Sequence, residues 1–77
     1  MKTWFVFDVT NYLGFSNRYG VFAGSAKEGL SLLEENLEYA PKTITCIGDI
    51  DHNPDLLGTI DDYYDYRMPA MHTLLCK

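Results

Sequence analysis

Residues 25–41 constrain this chain more than any other stretch. Ser25-Ala26-Lys27-Glu28 has the form of a capping box. In such a box a serine hydroxyl accepts from the third amide of the helix and the glutamate reaches back over its start. Behind it, Ala26, Leu30, Leu33, Leu37 and Ala40 recur at steps of four and three. That spacing predicts one apolar helical stripe, with Leu32 beside it and Glu28, Glu34, Glu35 and Glu38 largely opposite. Pro41 cannot continue a helix and sets its expected end. Gly29 inside the helix costs about 1 kcal/mol relative to alanine, and its missing side chain suits close packing on a sheet. A lone stripe of this kind has to be buried against another layer, so the rest of the chain must supply one.

The flanking sequence supplies strands. Residues 2–13 alternate: Phe5, Phe7 and Val9 fall on one face, and Trp4, Val6, Asp8 and Thr10 on the other. Both sets are rich in aromatic or β-branched residues, which favour strand. Gly14-Phe15-Ser16-Asn17 reads as a turn. Arg18 to Ala23 is then a second strand, with Tyr19, Val21 and Ala23 alternating against Gly20 and Phe22, antiparallel to the first. Tyr12, Leu13 and Phe15 load this turn with apolar surface; they are expected to fold back over the sheet as core or, if exposed, to form a patch with a reason to exist.

Thr43-Ile44-Thr45-Cys46-Ile47 reads as a third strand. Asn53-Pro54-Asp55 has the look of a helix start, soon interrupted by Gly58. Ile60 to Met68 fits either an acidic helix begun by Thr59 or an edge strand, ended in either case by Pro69. Met71 to Cys76 fits a final strand or a helical turn. The expected fold class is α+β. A small antiparallel sheet with a β-β-α-β core carries one amphipathic helix on one face, followed by an irregular C-terminal third. Residues 1–77 form a single domain.

Composition narrows the function classes. Apolar residues make up 47% of the chain, enough for a core and too many for a disordered segment. A core in so short a chain supplies only about 3–5 kcal/mol, so self-association or docking onto a partner would help it. Eleven acids against six bases give a net charge of −5, and the bases (Lys2, Arg18, Lys27, Lys42, Arg67 and Lys77) are scattered. Direct nucleic-acid binding needs a Lys/Arg patch and is not expected. An acidic surface steers toward basic protein partners, which often bind nucleic acid themselves. The apolar run Trp4-Phe5-Val6-Phe7 is cut short by Asp8, and nothing reaches the roughly 20 apolar residues of a membrane span, so a cytoplasmic protein without membrane contact is expected. Two cysteines are too few for a disulfide scaffold.

Gly48-Asp49-Ile50-Asp51-His52-Asn53-Pro54-Asp55 offers oxygens at alternate positions like the start of a calcium loop. The position that should be glycine is Pro54, and the one that should be a bidentate glutamate is Ile60. Cys46, His52, His72 and Cys76 form a possible zinc set, the alternative reading of the chain, in which only the closing His72–Cys76 pair has ordinary ligand spacing. Cys46 otherwise reads as a buried strand cysteine. Neither cysteine lies in a glycine-rich elbow, and so small a chain leaves little room for a pocket. No enzyme activity, cofactor or metal is expected.

The remaining candidate is the segment Asp61-Asp62-Tyr63-Tyr64-Asp65-Tyr66, three acids and three tyrosines in six consecutive positions. Tyrosine gives a large stiff contact with a polar tip, and neighbouring carboxylates pair with Arg or Lys of a partner. Asp49, Asp51 and Asp55 would extend the acidic surface. These nine residues are the expected partner-binding site. The expected function is that of a non-enzymatic binding protein occluding a basic or nucleic-acid-binding site. Size, charge and missing catalytic chemistry parallel the small inhibitors of phages and mobile elements, such as anti-restriction and anti-CRISPR proteins. A homodimeric structural protein is a further alternative.

Overall fold

The computed structural model describes residues 1–37 and 39–64. Strand β1 (Thr3–Thr10) and strand β2 (Ser16–Ala23) form the antiparallel hairpin, with Thr3 opposite Ala23 and Thr10 opposite Ser16. Helix α1 (Ala26–Asn36) follows, then strand β3 (Thr43–Asp49), a 3₁₀ helix (Pro54–Thr59) and strand β4 (Asp62–Tyr64). The strand order is β3-β1-β2-β4. β1 is antiparallel to both of its neighbours, so β2 and β3 run the same way and α1 is the crossover between them. β4 lies parallel to β2, which makes the sheet mixed rather than purely antiparallel. The fold class is α+β as expected.

The two alternating sets of the hairpin fall as the sequence predicts. Phe7, Val9 and Val21 point to the helix face, where Leu33 joins them in the core, with Leu30, Leu32 and Leu37 packed around it. Burying a side chain such as Phe7 or Leu33 contributes about 1.5–3 kcal/mol. Gly29 is the point of closest approach: a Cβ there would stand 3.2 Å from the Phe7 ring. The capping box forms, with Ser25 Oγ accepting from the Glu28 amide at 3.1 Å. Glu28 Oε1 in turn accepts from the Gly24 amide at 2.6 Å.

The helix is shorter than its stripe. It ends at Asn36, with Leu37 already extended, while Tyr39 and Ala40 are exposed. At its end the Leu37 amide donates to the Leu33 carbonyl at 3.1 Å, and Asn36 Nδ2 folds back to donate to the Leu32 carbonyl at 2.7 Å. Ala26, at the other end of the stripe, is also exposed.

The hairpin tip departs from expectation more sharply. The loop spans residues 11–15, and β2 begins at Ser16 rather than Arg18. Asn11 organises the loop. Its side-chain oxygen accepts from the amides of Leu13 and Phe15 at 2.9 and 3.0 Å. Its carbonyl accepts from the Gly14 amide at 3.1 Å. The β1–β2 pairing stops at Thr10 and Ser16, and no described strand runs beneath the tip. Tyr12, Leu13 and Phe15 remain 74%, 82% and 68% exposed instead of folding back as core.

The opposite face is sealed by the segment the sequence left irregular. Val6 is fully buried there, and Trp4 packs against Phe22 and edge-on to Tyr63, each at 5.3 Å between ring centroids. Ile60 lies over Gly20, where an added Cβ would meet Ile60 Cδ1 at 3.0 Å. Leu56 approaches Gly48. Asn53 precedes the 3₁₀ helix without a side-chain capping bond. Among the described residues, no helix is long and apolar enough to cross a membrane. The expected final element at Met71 to Cys76 lies outside the described residues.

Candidate functional site

The acid–tyrosine segment becomes, in its described part, the edge strand β4 and the residue before it. A strand sends successive side chains to opposite faces, and this divides the candidate residues. Tyr63 lies opposite Gly20 on the Trp4 face, half-buried, and its hydroxyl donates to the Leu57 carbonyl at 3.1 Å. Tyr64 lies on the helix face opposite Val21, half-buried among the residues around the core. Its ring stacks on Tyr19 at 5.4 Å with 23° between planes. Asp62 lies opposite Tyr19 on the same face. The four described residues of the segment therefore do not form one outward surface. Asp65 and Tyr66 lie outside the described residues.

Asp61 is exposed but already engaged. Its carboxylate accepts from the Arg18 amide at 2.8 Å, and its own amide donates to the Arg18 carbonyl at 2.8 Å. Arg18 is the residue that sequence reasoning passed over as a scattered base. Its Nε and Nη2 donate to the two oxygens of Asp8 at 2.6 and 3.0 Å, and its Nη1 donates to Thr59 Oγ1 at 2.9 Å. Thr59 in turn donates to the Leu56 carbonyl at 2.7 Å. One guanidinium thus ties Thr59, at the end of the 3₁₀ helix, to the hairpin. The fork of Arg18 matches a carboxylate in two parallel bonds, and the bond to Asp8 is the first cause that raises its pKa. The register that sets Asp8 opposite Arg18 is a finding of the structure; the expected turn at residues 14–17 would have set Arg18 opposite Leu13 instead.

The remaining acids sit elsewhere. Asp49 lies opposite Phe5, at the other end of β1 from the hairpin tip. It accepts from the His52 amide at 2.8 Å and from His52 Nδ1 at 2.8 Å. The backbone bond first and the ring bond second hold its carboxyl below the usual carboxylate range, and Asp49 raises the His52 imidazole in return. Asp51 and Asp55 are exposed. Cys46, expected to be buried, is an exposed free thiol on β3, because α1 packs over β1 and β2 and leaves that edge uncovered. His72 and Cys76 lie outside the described residues. Among those described, no three His, Cys, Asp or Glu side chains are grouped to hold a metal ion.

Open grooves are present among the described residues. One, of about 330 Å³, runs over Asp8, Arg18, Thr59 and Asp61, whose polar groups are already paired with one another. Another, about 400 Å³, lies on the helix face at the tip end. Its lining includes Phe15, Tyr19, Leu37, Tyr39, Asp62 and Tyr64. The rings of Phe15 and Tyr39 are 68% and 81% exposed. Burial first, and then the charge of Asp62, push the Tyr19 phenol above its ordinary pKa, so it remains a neutral donor. The groove thus combines exposed rings, a stacked tyrosine pair and a carboxylate. Of the nominated residues that the structure describes, its lining includes Asp62 and Tyr64. Compared with protein-family models, curated proteins and solved structures, the chain has no match in any of the three.

Proposed function

We propose that this protein is a non-enzymatic binding module. It is an acidic inhibitor that occupies a basic, nucleic-acid-handling site on another protein and docks through its hairpin-tip end. The observation that carries this reading is the exposed tip. Tyr12, Leu13 and Phe15 are held in open water by a loop whose amides are fastened to Asn11. Apolar surface fixed in an exposed position is a mark of interaction sites. Tyr39 and the groove with the Tyr19–Tyr64 stack and Asp62 continue this surface.

The rings supply desolvated contact, and the net charge of −5 steers the encounter toward a basic site. The mode is occlusion, with carboxylates meeting Arg or Lys of the partner. Asp61 serves the fold first, because its carboxylate is bound to the Arg18 amide. Asp62 is the acid of this segment best placed to meet a partner at the groove.

The test is affinity capture from the native host with the wild-type chain, with Leu13→Ser/Phe15→Ser, and with Asp62→Asn. All three are to be checked for unchanged circular dichroism. The expected result is a basic nucleic-acid-handling protein that is recovered by the wild type at low salt and weakly at high salt. It should be lost with the double tip variant and reduced with Asp62→Asn. Recovery by the tip variant equal to wild type would remove the tip from the interface.

A further inference from the structure

Among the described residues, the two outer strands of the sheet differ. β4 is three residues long and is guarded by Asp61 and Asp62. β3 runs seven residues, Thr43–Asp49, and no other described strand pairs with its outer side. Folded proteins blunt such edges with proline, charge, brevity or a bulge. From Thr43 to Ile47 this strand has no proline and no charge, and four of its five residues are β-branched. Its register shift falls at the far end, where Val6 and Phe7 meet Gly48 and Cys46. Thr43, Thr45 and Cys46 are exposed.

We propose that β3 pairs antiparallel with the β3 of a second copy, with Thr45 on the two-fold axis, so that two four-stranded sheets join into one of eight strands. The sequence Thr43-Ile44-Thr45-Cys46-Ile47 is self-complementary about its centre. Pairing there sets Thr45 against Thr45 of the partner subunit, and Ile44 against Cys46 of the partner subunit. Ile44 packs against the core cluster, and Cys46 lies opposite Phe7. This pairing therefore places two apolar side chains together at the point where α1 leaves the sheet uncovered. Cross-strand pairs of this kind are the unit of sheet stabilisation.

Charge selects a second copy over a basic peptide. The chain carries −5 overall, yet the five residues of the seam are neutral. Repulsion between copies is therefore not concentrated at the seam, and a basic strand would find no carboxylate there to meet. The small core gives the pairing a use, since only six hydrophobic side chains among the described residues are buried. This surface is distinct from the groove, and the inference does not rest on the function proposed above.

The test is light scattering of the full chain in reductant, from low to high micromolar concentration. Mass is expected to rise to twice that of the monomer. Thr45→Lys, which sets like charges against each other on the axis, is expected to stay monomeric with unchanged circular dichroism. In a Cys46→Ser/Cys76→Ser background, Thr45→Cys is expected to form an inter-chain disulfide on mild oxidation, because directly opposite residues lie within bridging distance. Ser16→Cys in the same background should not. A wild type that is monomeric throughout overturns the proposal, as does a dimer that survives Thr45→Lys but is lost in Leu13→Ser/Phe15→Ser.

Discussion

On the helix face of the sheet, Phe7, Val9 and Val21 meet Leu33 across a gap that the bare Cα of Gly29 keeps narrow. On the opposite face, Trp4 meets Tyr63 and Gly20 meets Ile60, both brought there by the stretch that follows the 3₁₀ helix. The first contact is made by a preformed amphipathic element whose stripe has no other place to go. The second depends on polar pins: Arg18 to Asp8 and Thr59, Asp61 to the Arg18 amide, and Tyr63 to the Leu57 carbonyl. The same sheet is thus covered once by apolar patterning and once by directional bonds. The helix face should set global stability, and the opposite face should open locally.

Three experiments strain that contrast. The largest effect is expected from Leu33→Ala, which empties a fully buried position of the helix-face core. Denaturant unfolding should show a loss of about 2–5 kcal/mol, with most of a small domain's margin gone. A loss well under 1 kcal/mol would mean that the helix face is not the main store of stability.

A smaller, local effect is expected from Arg18→Gln, which breaks the fork to Asp8 and the bond to Thr59. Native-state hydrogen exchange should accelerate at the amides of Leu56, Ile60 and Asp61, which are bonded in this segment. The helix amides of Gly29 and Leu37 should keep their protection. Equal acceleration at all five would show that the two faces open as one unit.

The smallest effect belongs to the Asp49–His52 contact at the end of β3. Its two shifts run in opposite directions. The raised His52 pKa contributes stability that is full below the unfolded imidazole value and lost as pH rises through the folded one. The lowered Asp49 pKa contributes stability present above the unfolded carboxylate value and lost as pH falls through the folded one. The pair therefore acts between the two ordinary values, and its contribution fades at both ends. An NMR titration should place the His52 imidazole above its ordinary pKa in the wild type and return it there in Asp49→Asn. Identical titrations in the two proteins would dissolve the contact.

Much of the helix face was legible beforehand. The Ser25–Glu28 box, the stripe through Leu30, Leu33 and Leu37, and the split of Phe5, Phe7 and Val9 from Trp4 and Val6 all depend on residues a few positions apart. Local periodicity reports such features directly. The opposite face was not legible. Arg18 and Asp61 are 43 positions apart, and no period links them. The acid–tyrosine segment was read as one surface because helix and strand were both open for it. A strand separates Tyr63 from Tyr64, and only pairing with β2 selected strand. The groove was missed because it takes Phe15 from the hairpin tip, Tyr39 from the loop after α1 and Tyr64 from β4, which are neighbours only once folded.

By itself, the sequence determined a capped amphipathic helix, a two-faced hairpin and the need to bring them together. These follow from side-chain spacing and from the cost of leaving apolar stripes in water. Only the tertiary structure decided that a fourth strand would lie parallel to β2, that one guanidinium would pin Thr59 to the hairpin, that the hairpin tip would be exposed, and that no other described strand would pair with the outer side of β3. Those outcomes depend on which distant groups satisfy each other's hydrogen bonds and on where the covering elements run out, and neither is encoded in any local stretch of chain.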